Sequence, residues 1–463
     1  MINKKYLDTN TILDTGDIIE LILQNESSQD LARLERLEKY YKVQNTTILN
    51  RQMSNNKDNN KIASAYCRYI TNTVTGYFMN GDCVSYTFPD GFDDKDVVSL
   101  FRYNDEPAVN NRIAENMSIF GYAIEQIYLD RNGKFRFASI NPKNVIVLFN
   151  DNIDEDIHSV IKYRGIYLED KDITRYYVDY YTPQQVTSYI FEDAILIPES
   201  EEVMINPFGD TPFIFYTNSN SMGDFEPVIS IIDAYDKAVS NMSNLMDYFN
   251  DAYLVFTGGD LEVKYDIDGN AIDPLPEMVE KRCFTLPENA TASFLAKPNI
   301  TSDSLEYIGK LKEDIHKFSH VPDVSDDKFF GTSGVALKYK MQPLEYLCAL
   351  KENNFRKGLT RRLELLCNFL SLKNREFDFS EITISFTRNM VEDIASVYDT
   401  VLKLKDVIST ETLLEKLPNI NKEIELERIK QEKEENMEEF QNQLPIQNEE
   451  EVMEVPEIKG KEQ

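Results

Sequence analysis

His316 and His320 stand one helical turn apart, with Asp323 three residues further on. Two imidazoles at i and i+4 with a nearby carboxylate are the one arrangement in this chain that could ligate a metal ion. A metal-dependent hydrolase built on His316, His320 and Asp323 is therefore one reading. The zinc-protease form of that pattern needs a glutamate directly after the first histidine, and Lys317 is there instead. The simpler reading is a histidine pair at a helix end, bonded to backbone or to acids. Only three histidines occur in 463 residues, which leaves few candidates for acid or base chemistry. Asp326 and Asp327 form an acid pair, but in a chain with 80 acidic residues such pairs arise by chance, and a solvated turn explains them. Gly331, Gly334 and Lys338 lack the order and spacing of a phosphate-binding loop, so no nucleotide-driven motor is expected. The five cysteines (Cys67, Cys83, Cys283, Cys348, Cys367) form no CxxC pair and read as small core residues in a reducing compartment. Neither catalysis nor a cofactor or metal is expected.

The elements that carry these residues are more informative than the residues. Ser319 to Gly334 (SHVPDVSDDKFFGTSG) is a loop of acids, glycines and two adjacent phenylalanines between two helical segments. Before it, Leu305, Ile308, Leu311, Ile315 and Phe318 recur at helical spacing. After it, Leu337, Met341, Leu344, Leu347, Leu359, Leu363, Leu366 and Leu370 do the same, with Pro343 forcing a kink or a start near the first turns. A loop of this length between helices is commonly functional or disordered. Asp323, Asp326 and Asp327 keep it solvated, whereas Phe329 and Phe330 would be wasted on a mere linker.

The chain exceeds what one core serves, so two or three structural regions are expected. Hydrophobic residues make up 42% of it, with 26 tyrosines and 26 phenylalanines, enough for sizeable cores. The net charge of −31 argues against a static grip on nucleic acid, which requires basic clusters. It does not exclude DNA as cargo, since a repulsive wall lets a polyanion slide and screening confines the effect to about 8–10 Å. No apolar run suits a membrane span and MINKKYLDTN is no signal peptide, so a soluble chain made in a cytoplasm is expected.

Periodicity changes along the sequence. Residues 28–43 and 61–79 read as helices, the second closed by Asn80-Gly81, with a polar, loop-like stretch over 45–60. From Gly121 the period is two: GYAIEQIYLD, a turn at Asn132-Gly133, then KFRFASI form an antiparallel hairpin. Strands continue to about Asp193, rich in tyrosine as in a half-exposed sheet. A short strand lies within 206–218. A helix follows over 225–250, about 39 Å long at 1.5 Å per residue, with Pro227 in its first turn. One of its faces is apolar, and the other carries Asp233, Asp236, Lys237, Asn241, Asn244 and Asp247. Short strands around a turn-rich centre fill 253–299. EITISF reads as a strand, 391–405 and 409–417 as helices, and Pro418 ends the last. Residues 421–463 hold 14 acids against 6 bases and read as an acidic tail, disordered over its second half. A scaffold or adaptor acting through that tail is a further alternative.

Several segments, in order, resemble the portal proteins of long-tailed bacteriophages of low-GC Gram-positive hosts. They are the helix ending YFMNG, the hairpin GYAIEQIYLDRNGKFRFASI, the junction NPFGDTPFIFYTNSNSMGDFEPVISIIDAYDKAVSNM, the loop VPDVSDDKFFGTSGVALKYKM, and FTRNMVEDIASVYDTVLKLKDVISTETLLEKLPNI. The resemblance spans about Lys61 to Pro418.

The resemblance implies an α+β portal fold. Residues 1–224 would form the wing, 225–252 and 301–318 the two stem helices, 253–300 the clip and 319–334 the tunnel loop. Residues 335–386 would be the long kinked helix and a strand returning to the wing, 387–420 the crown, and 421–463 the tail. It further implies a homo-oligomeric ring, commonly of twelve copies, at one capsid vertex. Its partners would be terminase, the major capsid and scaffold proteins, and the head-completion adaptor and tail, with double-stranded DNA as non-specific cargo and no membrane. The tunnel loop would present Asp323, Ser325, Asp326, Asp327, Lys328, Phe329, Phe330, Gly331 and Thr332, the two phenylalanines packing on a neighbouring loop because exposed rings are costly. Asp233, Asp236, Lys237, Asp247 and Asp314 would face the channel. The chain would reside in the virion, and in the host cytoplasm during assembly.

Overall fold

A computed structural model describes residues 5–53, 59–89, 92, 94–168, 173–192, 195–199, 203–250, 253–257, 264–265, 268–269, 271–272, 291–295, 301–325, 334–372, 378–388, 401–405, 407–415, 425–426 and 428–432. Two compact units divide the chain: residues 1–332 with 336–389, and residues 333–335 with 390–463.

In the first unit the chain opens with β1 (Lys5–Leu7), α1 (Thr15–Glu26), α2 (Gln29–Tyr41) and one turn of helix, α3 (Thr46–Leu49). Helix α1 is set by a capping box in which Asp14 accepts the amide of Asp17 and Asp17 accepts that of Asp14. Ser28 caps α2 through the amide of Leu31. Then come α4 (Tyr66–Phe78), β2 (Val84–Thr87), α5 (Lys95–Asn104), α6 (Glu106–Phe120), β3 (Tyr122–Leu129) and β4 (Phe135–Ile140). The sequence expectation of helix over 61–79 becomes α4, starting five residues later. The expected hairpin is β3 and β4, and Gly133 takes the positive φ (69°) that its turn requires.

Strands β5 (Val145–Asn150), β6 (Ile157–Leu168), β7 (Ile173–Tyr181), β8 (Gln185–Glu192), β9 (Ile195–Pro198) and β10 (Met204–Ile205) follow. With β1 they form a seven-stranded sheet in the order β1-β5-β6-β7-β8-β10, with β9 also on β8. All pairings are antiparallel except β1 with β5. One face of this sheet buries Ile146, Leu148, Ile161, Tyr163, Val178 and Leu196 against Ile18 and Ile22 of α1. A second sheet orders β11 (Phe213–Thr217), β3 and β4.

After a 3-10 turn at Glu226–Val228, α7 runs over Ile229–Asn250. The strands β12 (Tyr253–Thr257), β13 (Lys264–Tyr265), β14 (Ala271–Ile272) and β15 (Thr291–Leu295) form two small pairs, β12 with β15 and β13 with β14. Helix α8 (Thr301–Phe318) packs on α7. The long helix α9 (Gly334–Ser371) continues through Pro343, so that residue neither starts nor ends it. Burial of Leu344, Cys348, Phe355, Leu359, Leu363, Leu366 and Leu370 holds the helix across the missing amide. β16 (Thr383–Phe386) returns to pair antiparallel with β2. The main core gathers α2, α4, α6, α7, α9 and the β11-β3-β4 sheet around Phe78, Phe135, Phe137, Phe213, Phe225 and Phe355, all nearly inaccessible.

In the second unit the described elements include α10 (Thr410–Glu415), within the helix expected over 409–417. Most of the helix expected over 391–405, and most of the acidic tail, lie outside the described residues. Mixed helices and largely antiparallel sheets make the fold α+β.

Candidate functional site

Much of the polar face of α7 is turned into protein and not to solvent. Asp233, Asp236, Ser240, Asn244 and Asp247 recur at spacings of three and four, so they line one side of the helix. That side is met by residues from Tyr40 to Thr47 and from Asn60 to Ser64. Asp233 accepts the hydroxyls of Tyr40 (2.7 Å) and Thr47 (2.9 Å), with Arg36 at 3.7 Å. Asp236, 1% exposed, accepts Asn45 Nδ2 (2.5 Å) and the Ser64 amide (2.9 Å). Ser240 Oγ accepts the amide of Ile62, Asn244 Oδ1 that of Asn60, and Asp247 the side-chain amide of Asn60. The expectation that Asp236 faces a channel is corrected: it points into protein, because main-chain donors of residues 60–64 need acceptors once α7 covers them. Burial raises the Asp236 carboxyl above its ordinary range against the bonds from Ser64 and Asn45. Asp233 is partly covered in the same way, whereas Lys237 and Asp247 remain exposed.

The descent from α8 into the following loop is fixed just as closely. Ile315, Ser319 and Val321 are buried, and His320 turns the chain with a left-handed φ of 61°. His316 is engaged on several sides. Its Nδ1 lies 3.1 Å from the Val321 carbonyl, its Nε2 3.8 Å from Asp323, and its ring sits edge-on to Tyr66 and Tyr69. Asp323 holds Lys312 Nζ at 2.7 Å and accepts both the amide and the hydroxyl of Ser325. Partial burial opposes ionisation of Asp323, but Lys312, Ser325 and His316 outweigh it and bring the carboxyl down to about 2. From α4, Tyr69 donates to the Pro322 carbonyl (3.0 Å) and receives the Val324 amide (3.4 Å). A cleft of about 480 Å³ opens between Tyr66, Tyr69, Tyr235, His316 and Asp323. On α8, Asp314 pairs with Lys310 at 3.0 Å. Asp326, Asp327, Lys328, Phe329, Phe330, Gly331 and Thr332 lie outside the described residues.

The sequence of the chain matches the family model described as phage portal protein, SPP1 Gp6-like, over residues 21–439. The chain belongs to the phage portal protein family. It is also similar to the portal protein of Clostridium phage phiCD119, 22% identical over 445 aligned residues that cover 87% of this chain and 93% of that protein. Portal proteins are structural and not enzymes, assemble as oligomeric rings with phage head components, and belong to the capsid vertex of the virion.

This removes the hydrolase reading of His316, His320 and Asp323. His316 spends Nδ1 on a carbonyl and Asp323 is already paired with Lys312. Among the described residues, no group of three or more His, Cys, Asp or Glu side chains could hold a metal ion, and no helix is long and apolar enough to cross a membrane.

In this portal chain the junction leading into α7 is braced by groups with no motif of their own. Arg33 of α2 clamps Glu226 with two bonds and also donates to the carbonyls of Phe120 and Ser221. Lys351 of α9, nearly inaccessible, meets Asp224 at 2.9 Å and Asn218 at 3.0 Å. Main chains cross so closely here that a Cβ on Gly121 would lie 2.3 Å from the Ser221 carbonyl, and one on Gly223 2.4 Å from that of Ile119. Deeper in the core, Arg362 of α9 joins Glu125 (2.9 Å), Glu106 (3.1 Å) and Asn110 (2.9 Å), over the ring of Phe137. The hydroxyl of Tyr216 donates to Glu125 and that of Tyr86 to Glu106, so each acid has neutral donors besides the guanidinium. Burial raises the Glu125 carboxyl even though Arg362 and Tyr216 counter it.

Proposed function

We propose that the chain is one subunit of a ring, of twelve copies on the family resemblance, that forms the channel for packaging and ejection of double-stranded DNA. It docks terminase during packaging, then the head-completion adaptor and tail. Residues up to 224 form the wing with the seven-stranded sheet, α7 and α8 the stem, 253–300 the clip, the loop from Ser319 to Gly334 the tunnel loop, α9 and β16 the return to the wing, and 387–420 the crown. The ring is built in the host cytoplasm together with capsid and scaffold proteins.

The observation that carries this reading is the joint between α8 and its following loop. The helix is closed at Ser319, turned at His320 and pinned to α4 through Tyr69, so residues 321–325 begin the following loop from a fixed point. A loop meant to define a constriction in a ring needs such a base. With Asp236 inside the protein, Lys237, Asp247 and Asp314 remain as the stem residues proposed to face the channel, and Asp323 and Ser325 serve as the base of the loop. The net charge of −31 per subunit keeps the walls from holding phosphate.

Negative-stain electron microscopy of the purified full-length chain tests the proposal. Rings with a central opening are expected. A chain that stays monomeric at high concentration and is absent from purified capsids would overturn it.

A further inference from the structure

The second face of the seven-stranded sheet is covered along only part of its length. Near β11 it is closed: Val160 is inaccessible and Tyr181 packs edge-on to Phe213. Further along, the pairing registers set two transverse rows on the same face. One reads Arg164, Tyr177, Ile190, Ile197 and the other Ile166, Arg175, Glu192, Ile195. Arg164 is exposed on these rows, and Tyr177 and Ile190 are half-buried. Ile166, Ile195 and Ile197 are 38%, 59% and 53% exposed. Met204, 59% exposed and paired with Val186 of the same face, adds an apolar side chain on the β10 edge.

Isoleucine, tyrosine and arginine are what the buried centre of a protein interface contains, and a strand edge is a place where chains join. Charge narrows the choice of partner. The chain carries 80 acids against 49 bases, yet Arg164 lies here over the Tyr177 ring at 5.7 Å and meets no carboxylate among the described residues. Arg175 is held by Glu192 at 2.6 Å, so among the described residues of these rows Arg164 is the guanidinium without a carboxylate beside it. Copies of so acidic a chain repel one another, and a ring requires local points where that repulsion is reversed.

We infer that this face is one half of the contact between neighbouring copies: the isoleucine strip packs on the next copy, and Arg164 pairs with a carboxylate of that copy. The contact is heterologous, as a closed ring requires, because the face meets a different surface of its neighbour. The inference rests on the ring reading above.

The full-length chain tests it in three forms: wild type, Ile195→Asp with Ile197→Asp, and Arg164→Glu. Each is followed by light scattering after size exclusion and by negative stain, with circular dichroism and thermal melting as the check on folding. The expected result is rings from the wild type, at least a tenfold smaller ring fraction in the double variant, and a loss in Arg164→Glu that 0.5 M salt partly restores, as roughly 4–5 Å of Debye screening would allow. Should the double variant melt early, Arg164→Glu alone decides, since its guanidinium faces solvent. Ring fractions at the wild-type level in folded variants would overturn the inference and leave the ring reading standing. Absence of rings from the wild type would instead overturn the ring reading.

Discussion

The Asp236 carboxylate accepts the main-chain amide of Ser64 at 2.9 Å, joining α7 to the start of α4 across 172 residues of sequence. Together with Asn45, this bond turns the polar stripe of α7 into an internal seam. Replacing Asp236 by Ala strands two buried donors and should cost about 1–3 kcal/mol, whereas Asn, which keeps an acceptor for Ser64, should cost less. Urea unfolding of the two variants checks the order. Because the folded carboxyl is raised above its unfolded value, its ionisation opposes folding. The destabilisation should grow as pH rises through and above the ordinary carboxylate range, then level off. The Asn variant should lose that slope.

Arg362 is the largest fully buried side chain among the described residues, and Glu125 and Glu106 pair with it. Arg362→Met leaves Glu125 and Glu106 without their cation and should lower stability by about 3–5 kcal/mol. Combining it with Glu125→Gln should recover part of that loss. A double-mutant cycle on melting curves measures the coupling.

Neither of these clusters is legible in the sequence, for one physical reason. A polar residue on a helix reads as solvated until its partner is known, and the partners of Asp236 and Arg362 lie far away in the chain. The hairpin β3-β4, the strands through β8 and the helices α2, α4, α7, α8 and α9 are legible because their periods and turn residues are local. Helices α5 and α6 escaped because α6 buries Asn110 and Ser118 along with Ile113, Met117 and Phe120, which blurs its apolar stripe. The capping box at Asp14 and Asp17, with Ile18 and Ile22 behind it, was the available signal for α1. Nothing local in the sequence marks Tyr69, whose hydroxyl anchors the loop base.

That anchor can be isolated. Tyr69→Phe removes the bonds to Pro322 and Val324 while keeping the ring against His316, so hydrogen exchange at Val321, Val324 and Ser325 should quicken several-fold with little change in global melting. Asp323→Asn should act on the same amides. Asp323 titrates at about 2, below its ordinary value, so its contribution to the loop base is complete above the usual carboxylate pKa and disappears as pH falls towards 2. Since Asp323 is partly exposed, its effect on global stability should stay below about 1 kcal/mol.

Gly358 sits where a Cβ would lie 2.1 Å from the Tyr216 ring. Gly358→Ala should therefore destabilise by about 1–3 kcal/mol even though alanine favours the helix. Tyr216→Phe should not rescue it, because the clash is with the ring and not with the hydroxyl. Thermal denaturation of the single and double variants settles both points.

The seam along α7 also sets an order of events during synthesis. Asn45, Thr47, Asn60, Ile62 and Ser64 hold donors whose acceptors lie on α7, so they emerge from the ribosome before those acceptors are made. At about 5–20 residues per second, the 172 residues between Ser64 and Asp236 take roughly 10–35 s to follow. Through that interval α2 and α4 can pack on α6, but the donors of the seam stay without their native acceptors. Chaperone demand of the nascent chain should therefore peak before α7 is translated and fall once it has emerged.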